Sequence, residues 1–158
     1  GTLGGDKQLI MDLFEFFSSR EIGVSWTPSL KDLKVFSENQ LKMDIISCDV
    51  LFLNAQEWEA MGETSNECLK AIPLIVVTNG SKGGVVYSEQ KELFEYEAMK
   101  VKVIEETGAG DAFAAGVISG ITSGKNLLEC IEWGKKNSSS VIQYLGAKEG
   151  LLTLDQIQ

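Results

Sequence analysis

Val103-Ile104-Glu105-Glu106-Thr107-Gly108-Ala109-Gly110-Asp111-Ala112-Phe113-Ala114-Ala115-Gly116 is the stretch on which the reading of this chain turns. A strand-like start runs into a turn of small residues. The turn opens a helix whose apolar positions continue through Phe113, Val117, Ile118 and Ile121. The first N–H groups of a helix have no partner within it and lie at the positive end of its dipole, so a turn of this kind can hold an anion. Glycine at 108 and 110 lets the backbone approach a phosphate without a Cβ in the way. Asp111 then falls in the first helical turn. A carboxylate there is badly placed for passive phosphate binding, because like charges repel, and well placed to take a proton from an attacking hydroxyl. The same residues also fit a helix cap and ordinary loop punctuation. A dinucleotide fingerprint does not fit, since Gly108-x-Gly110 would need Gly or Ala where Phe113 stands, and the chain has no GxxxxGK[ST] loop.

Upstream, helix and strand patterns alternate. Leu9, Ile10, Leu13, Phe14 and Phe17 form an apolar stripe at helical spacing between Asp6 and Arg20, with Asp6 as a cap. Ile22 to Trp26 reads as a short strand, Ser37 to Ile46 as a helix, and Asp49 to Leu53 as a second strand. Ala55 to Met61 and Thr64 to Lys70 read as short helices, and Leu74 to Thr78 as an apolar β-branched strand. This alternation predicts an α/β layer with parallel central strands. Gly80 to Gly84 is a turn, after which Val85 to Ser88, Leu93 to Tyr96 and Lys100 to Ile104 read as an antiparallel extension. Downstream, a second helix runs from Asn126 to about Leu145.

Composition narrows the function. The chain has 158 residues, 44% of them hydrophobic, enough for one ordinary core, so residues 1–158 are expected to form a single domain. A net charge of −9 leaves no basic footprint for nucleic acid or an anionic membrane surface. No apolar run is long enough to span a bilayer and no leader pattern opens the chain, which points to the cytoplasm. Cys48, Cys68 and Cys130 are odd in number and widely spaced, as expected of reduced core thiols. Histidine is absent, so acid–base chemistry falls to carboxylates, Lys, Tyr or Cys.

Thr107-Gly108-Ala109-Gly110-Asp111-Ala112-Phe113 resembles the DTxGAGDxF motif of the ribokinase-like (PfkB) carbohydrate kinases. The resemblance implies a three-layer α/β/α fold with a mostly parallel sheet, here without its N-terminal part. It also implies ATP-dependent, Mg²⁺-assisted phosphoryl transfer to a hydroxyl of a sugar or nucleoside. Asp111 would be the general base, and the N–H groups around Gly108, Ala109 and Gly110 would stabilise the transferring phosphoryl group. Asn54-Ala55-Gln56-Glu57 looks like the family's NxxE motif, in which Asn54 and Glu57 help place Mg²⁺ and the phosphates. They also read as a helix cap and its third residue. Val76-Val77-Thr78-Asn79-Gly80-Ser81-Lys82-Gly83-Gly84 resembles the VTLGxxG strand and turn, which would set Thr78, Gly80, Lys82 and Gly83 along the nucleotide phosphates, with Thr107 beside them. The helix through Asn137-Ser138-Ser139-Ser140 and the turn at Gly146-Ala147 resemble the flank of the adenine pocket, which would enlist Asn137 and Gly146. The same small residues fit a helix packed closely on its neighbour.

The sequence also departs from the family pattern. Glu105 and Glu106 stand where the family usually has Asp and Thr, which bears on a monovalent-cation site. Thr27 stands where an Asp is usual. The sugar-binding half, with its GG-containing motif and β-sheet lid, has no counterpart, so a fragment of a longer kinase, or a truncated relative that lacks its acceptor site, is expected. The resemblance leaves a homodimer open to the parent protein. The alternative to an enzyme is a non-catalytic module, derived from such a kinase, that binds a nucleotide or a partner.

Overall fold

The structure, a computed structural model, describes residues 2–38 and 46–158. These residues form two compact units, one ending at Tyr96 and the other running from Glu97 to Gln158.

In the first unit the chain alternates as the apolar pattern requires: α1 (Lys7–Ser18), β1 (Ser25–Trp26), α2 (Leu30–Glu38), β2 (Val50–Asn54), α3 (Ala55–Ala60), α4 (Thr64–Ala71), β3 (Leu74–Thr78), β4 (Gly84–Ser88) and β5 (Lys91–Tyr96). The sheet order is β1-β2-β3-β4-β5. The first three strands are parallel, and β4 and β5 extend the sheet antiparallel, so the expected extension is present over two strands. Strand alternation sends Leu51, Leu53, Ile75 and Val77 to one face, where they join Ile10 and Phe14 of α1 and Leu33 and Phe36 of α2 in one apolar cluster. Val50, Phe52 and Val76, on the other face, are buried as well. Burial on both faces is the rule for parallel strands and explains their unbroken apolar runs.

Asp6 caps α1 through a bond from the Leu9 N–H of 3.0 Å. The helix expected from Ser37 instead begins at Leu30, and residues 39–45 of that expectation lie outside the described residues. The cause is Ser29-Leu30-Lys31-Asp32, a Ser-x-x-Asp capping pattern. Asp32 accepts from the Ser29 N–H (2.8 Å) and hydroxyl (2.9 Å), and from the Gly5 N–H (2.8 Å). Its carboxyl is fully buried. Burial alone would raise its pKa, but the N–H groups of Ser29 and Gly5 and the hydroxyls of Thr2 and Ser29 outweigh that and hold it low.

The second unit holds α5 (Ala109–Thr122), α6 (Leu127–Val141) and the short α7 (Leu154–Ile157). Lys100 to Ile104, expected as a strand, is irregular. Its end is bonded to the segment after α6, with the Ile104 N–H donating to Ile142 O at 2.8 Å, and Val103 and Ile104 stay exposed. α6 includes Ser138-Ser139-Ser140 and stops at Val141, short of Leu145, where the Gln143 and Tyr144 N–H groups tighten onto Ser140 O and Val141 O three residues back. α5 and α6 pack without room for side chains at their crossing. A Cβ on Gly116 would lie 2.6 Å from Trp133 O, and one on Gly120 would lie 2.9 Å from the Cys130 Cα.

Cys48, Cys68 and Cys130 are all free and buried, as core thiols should be. Burial pushes the Cys48 and Cys68 thiols up to about 12, so they are protonated and unreactive at neutral pH. No helix among the described residues is long and apolar enough to cross a membrane.

Candidate active site

In the first unit the candidate residues gather at one end of the sheet. Parallel pairing sets Asn54, the last residue of β2, directly beside Thr78, the last residue of β3. The C-terminal ends of parallel strands are where α/β sheets place ligands. Thr78 donates its hydroxyl to Leu53 O at 3.3 Å, and the chain then folds into a 3-10 turn at Gly80–Lys82. That turn is closed by the Asn79 N–H on Gly83 O at 2.7 Å, which buries Gly83 and leaves Gly80 and the Lys82 side chain exposed.

Asn54 and Glu57 form a reciprocal capping box at the start of α3. Asn54 Oδ1 accepts from the Glu57 N–H at 2.9 Å, and Glu57 Oε2 accepts from the Asn54 N–H at 2.8 Å. Burial raises the Glu57 pKa, partly offset by its bonds to Asn54. The box therefore engages the only side-chain oxygen of Asn54 and one of the two of Glu57, and leaves Glu57 Oε1 without a protein partner among the described residues. No cluster of three or more acidic, Cys or His residues able to cage a metal occurs among the described residues. One free carboxylate oxygen, with at most the second lone pair of Asn54 Oδ1, suits a cation that arrives with phosphates and keeps most of its water, which is how Mg²⁺ is usually held.

In the second unit the anion turn opens α5. Its N-cap, Gly108, sits at φ 84°, in the left-handed region, and no side chain caps the helix. A Cβ there would lie 2.6 Å from Ala147 O, so glycine is required twice over, by backbone angle and by space. Ala112 N–H makes the first helical bond, to Gly108 O at 2.9 Å, and Ala109 N–H turns back to Glu106 O at 3.1 Å. The N–H groups of Gly108, Gly110 and Asp111 are left without protein partners among the described residues. A Cβ on Gly110 would meet nothing within 4 Å, so the space before the helix is open. Asp111 is exposed in the first turn of α5. The same short stretch thus offers unpaired donors and a carboxylate base.

The remaining candidates hold this turn. Asn137 is buried and spent at both ends, its Nδ2 donating to Ala112 O at 2.7 Å and its Oδ1 accepting from the Leu152 N–H at 2.9 Å. It ties α6 to the first turn of α5. Gly146 N–H donates to Glu105 Oε2 at 2.7 Å, and the Thr107 hydroxyl faces the same carboxylate. Thr107 first and Gly146 second hold the Glu105 pKa below its usual value. The sequence marks Glu105 only as a departure from a pattern. Its partner lies 41 residues away, a separation that no local motif encodes.

The chain is 34% identical over 139 residues to a nucleoside kinase of Methanocaldococcus jannaschii, covering 85% of this chain and 45% of that protein. It is 33% identical over 85 residues to a 5-dehydro-2-deoxygluconokinase of Bacillus subtilis, covering 54% of this chain and 26% of that protein. Among solved structures, the crystal structure of the Methanocaldococcus jannaschii nucleoside kinase, described as an archaeal member of the ribokinase family, superposes with a TM-score of 0.74 at 32% identity. That match covers 86% of this chain and 46% of the other. The chain thus spans less than half the length of these relatives, and its fold is that of the ribokinase class. Residues 25–154, most of the chain and all of the candidate site, match the profile of the pfkB family carbohydrate kinases, and the chain belongs to that family.

Proposed function

We propose that this chain is the catalytic portion of a cytoplasmic kinase that transfers the γ-phosphoryl group of ATP to a hydroxyl of a nucleoside or sugar. The observation that carries the reading is the open start of α5, where unpaired N–H groups of Gly108, Gly110 and Asp111 stand beside the exposed Asp111 carboxylate. Asp111 takes the proton of the acceptor hydroxyl. The acceptor oxygen forms a bond to the γ-phosphorus, the bond from that phosphorus to its bridging oxygen breaks, and the electron pair leaves with ADP. The α5 N–H groups donate to the phosphoryl oxygens as charge shifts across them, without reorganising. Thr78, Gly80, Lys82 and Gly83 would lie along the nucleotide phosphates. Mg²⁺, when bound, neutralises phosphate charge, and Glu57 with Asn54 would hold it. Relatives named as a nucleoside kinase and as a 5-dehydro-2-deoxygluconokinase support an acceptor of this small, hydroxyl-rich class.

A longer protein carrying these residues, supplied with Mg²⁺ and ATP, should release ADP in proportion to one or more members of a panel of nucleosides and sugars. The 158 residues alone should do so poorly, because the chain spans only about half or less of the kinases it matches. ADP release that no acceptor in the panel increases would contradict the proposal.

A further inference from the structure

The turn that presents Gly108 is sewn to the segment leaving α6. The N–H groups of Ile104 and Glu105 both donate to Ile142 O, at 2.8 and 3.3 Å. The Gly146 N–H donates to Glu105 Oε2 at 2.7 Å. One residue on, Ala147 packs so tightly on Gly108 that no Cβ fits between them. Glu105 stands at the junction and grips the 142–147 loop with both its backbone and its side chain.

We infer that Glu105 is a positioning residue for phosphate binding: by bonding Gly146 it seats Ala147 against Gly108 and keeps the N–H groups of Gly108, Gly110 and Asp111 converging on one point. The inference rests on reading the start of α5 as the phosphate site. Simple electrostatics makes the opposite forecast. A carboxylate near an anion site repels the anion, so its removal from a chain of net charge −9 should tighten binding. Glu105 is only partly buried, so solvent and salt screen much of its field, whereas donors that lose their convergence lose their bonds outright. Geometry therefore outweighs charge here, and the sign of the effect tells the two apart.

Inorganic triphosphate titrated into the folded 158-residue chain, followed through the amide resonances of Gly110 and Asp111, provides the test. Glu105→Ala should weaken the apparent affinity on the order of tenfold. Glu105→Gln, which loses the charge and keeps an acceptor for the Gly146 N–H, should restore most of it. If both variants bind as tightly as the wild type or more tightly, the positioning role is wrong while the phosphate site stands. If the wild-type Gly110 and Asp111 amides do not respond at all, the phosphate site and the inference fall together. Should Glu105→Ala not fold, the coupling is read in the wild-type chain. The Gly146 amide should then shift with the same midpoint as Gly110, and a Gly146 amide that stays still overturns the inference.

Discussion

Asp111→Asn is expected to lower kcat of a full-length kinase carrying these residues by about 10²- to 10⁴-fold, the usual worth of a general base. Asparagine keeps the size of the side chain and removes its ability to accept a proton, so the variant separates chemistry from packing. Asp111 is exposed and caps nothing, since α5 has no side-chain cap, and the thermal midpoint should not move. The ATP dissociation constant should hold or fall slightly, because one negative charge has left the neighbourhood of the γ-phosphate. A merely structural aspartate would give the reverse pattern, with turnover surviving the change. The measurement is kcat beside the thermal midpoint and the ATP dissociation constant. A kcat within a few-fold of wild type would remove Asp111 from the mechanism.

Two glycines two residues apart should respond in opposite ways to the same added methyl group. At Gly108, alanine must adopt a left-handed backbone, costing about 1–2 kcal/mol, and its Cβ would lie 2.6 Å from Ala147 O. Overpacking of that kind adds about 1–3 kcal/mol, so the midpoint should drop by roughly 10 °C. At Gly110 the Cβ meets nothing within 4 Å, and a helical Ala is favoured over Gly by roughly 0.5–1 kcal/mol. Gly110→Ala should therefore keep or raise the midpoint. In a helix the Cβ leans toward the N-terminus, here into the open space before α5, so the same substitution should obstruct the phosphate. Loss of one charge-assisted hydrogen bond is worth about 1.5–3 kcal/mol, which weakens ATP binding by about tenfold or more. Calorimetric melting and ATP titration of both variants check the pair. A Gly110→Ala chain that binds ATP as well as wild type would move the phosphates elsewhere.

Much of the architecture could be read from local pattern because local physics decided it. The stripe from Leu9 to Phe17 became α1, and the β-branched run from Leu74 became β3, each within a residue or two of expectation. α2 begins seven residues before Ser37, at Leu30, where the buried Asp32 carboxylate binds Ser29 and Gly5, and the bond to Gly5 is one that no local pattern shows. Lys100 to Ile104 has a strand's composition and no strand's partner, since its backbone is claimed by Ile142 through a contact far away in sequence. The site followed the same division. Gly108, Gly110 and Asp111 are recognisable because turn, glycine and helix start are adjacent in the chain. The bond of Glu105 to Gly146 and the double role of Asn137 depend on how α5 and α6 pack, which a local window cannot show. Asn54 and Glu57 took the conformation of a capping box, one of the two readings their spacing allowed.

The claim that the start of α5 is where the phosphates sit is tested most directly by titrating ATP with Mg²⁺ into the isotope-labelled chain and following its backbone amides. The amides of Gly108, Gly110 and Asp111 should move together and saturate at one midpoint, because they are the donors left unpaired at the open end of the helix. If other amides saturate while these three stay still, ATP binds elsewhere and the site described here is not the phosphoryl-transfer site.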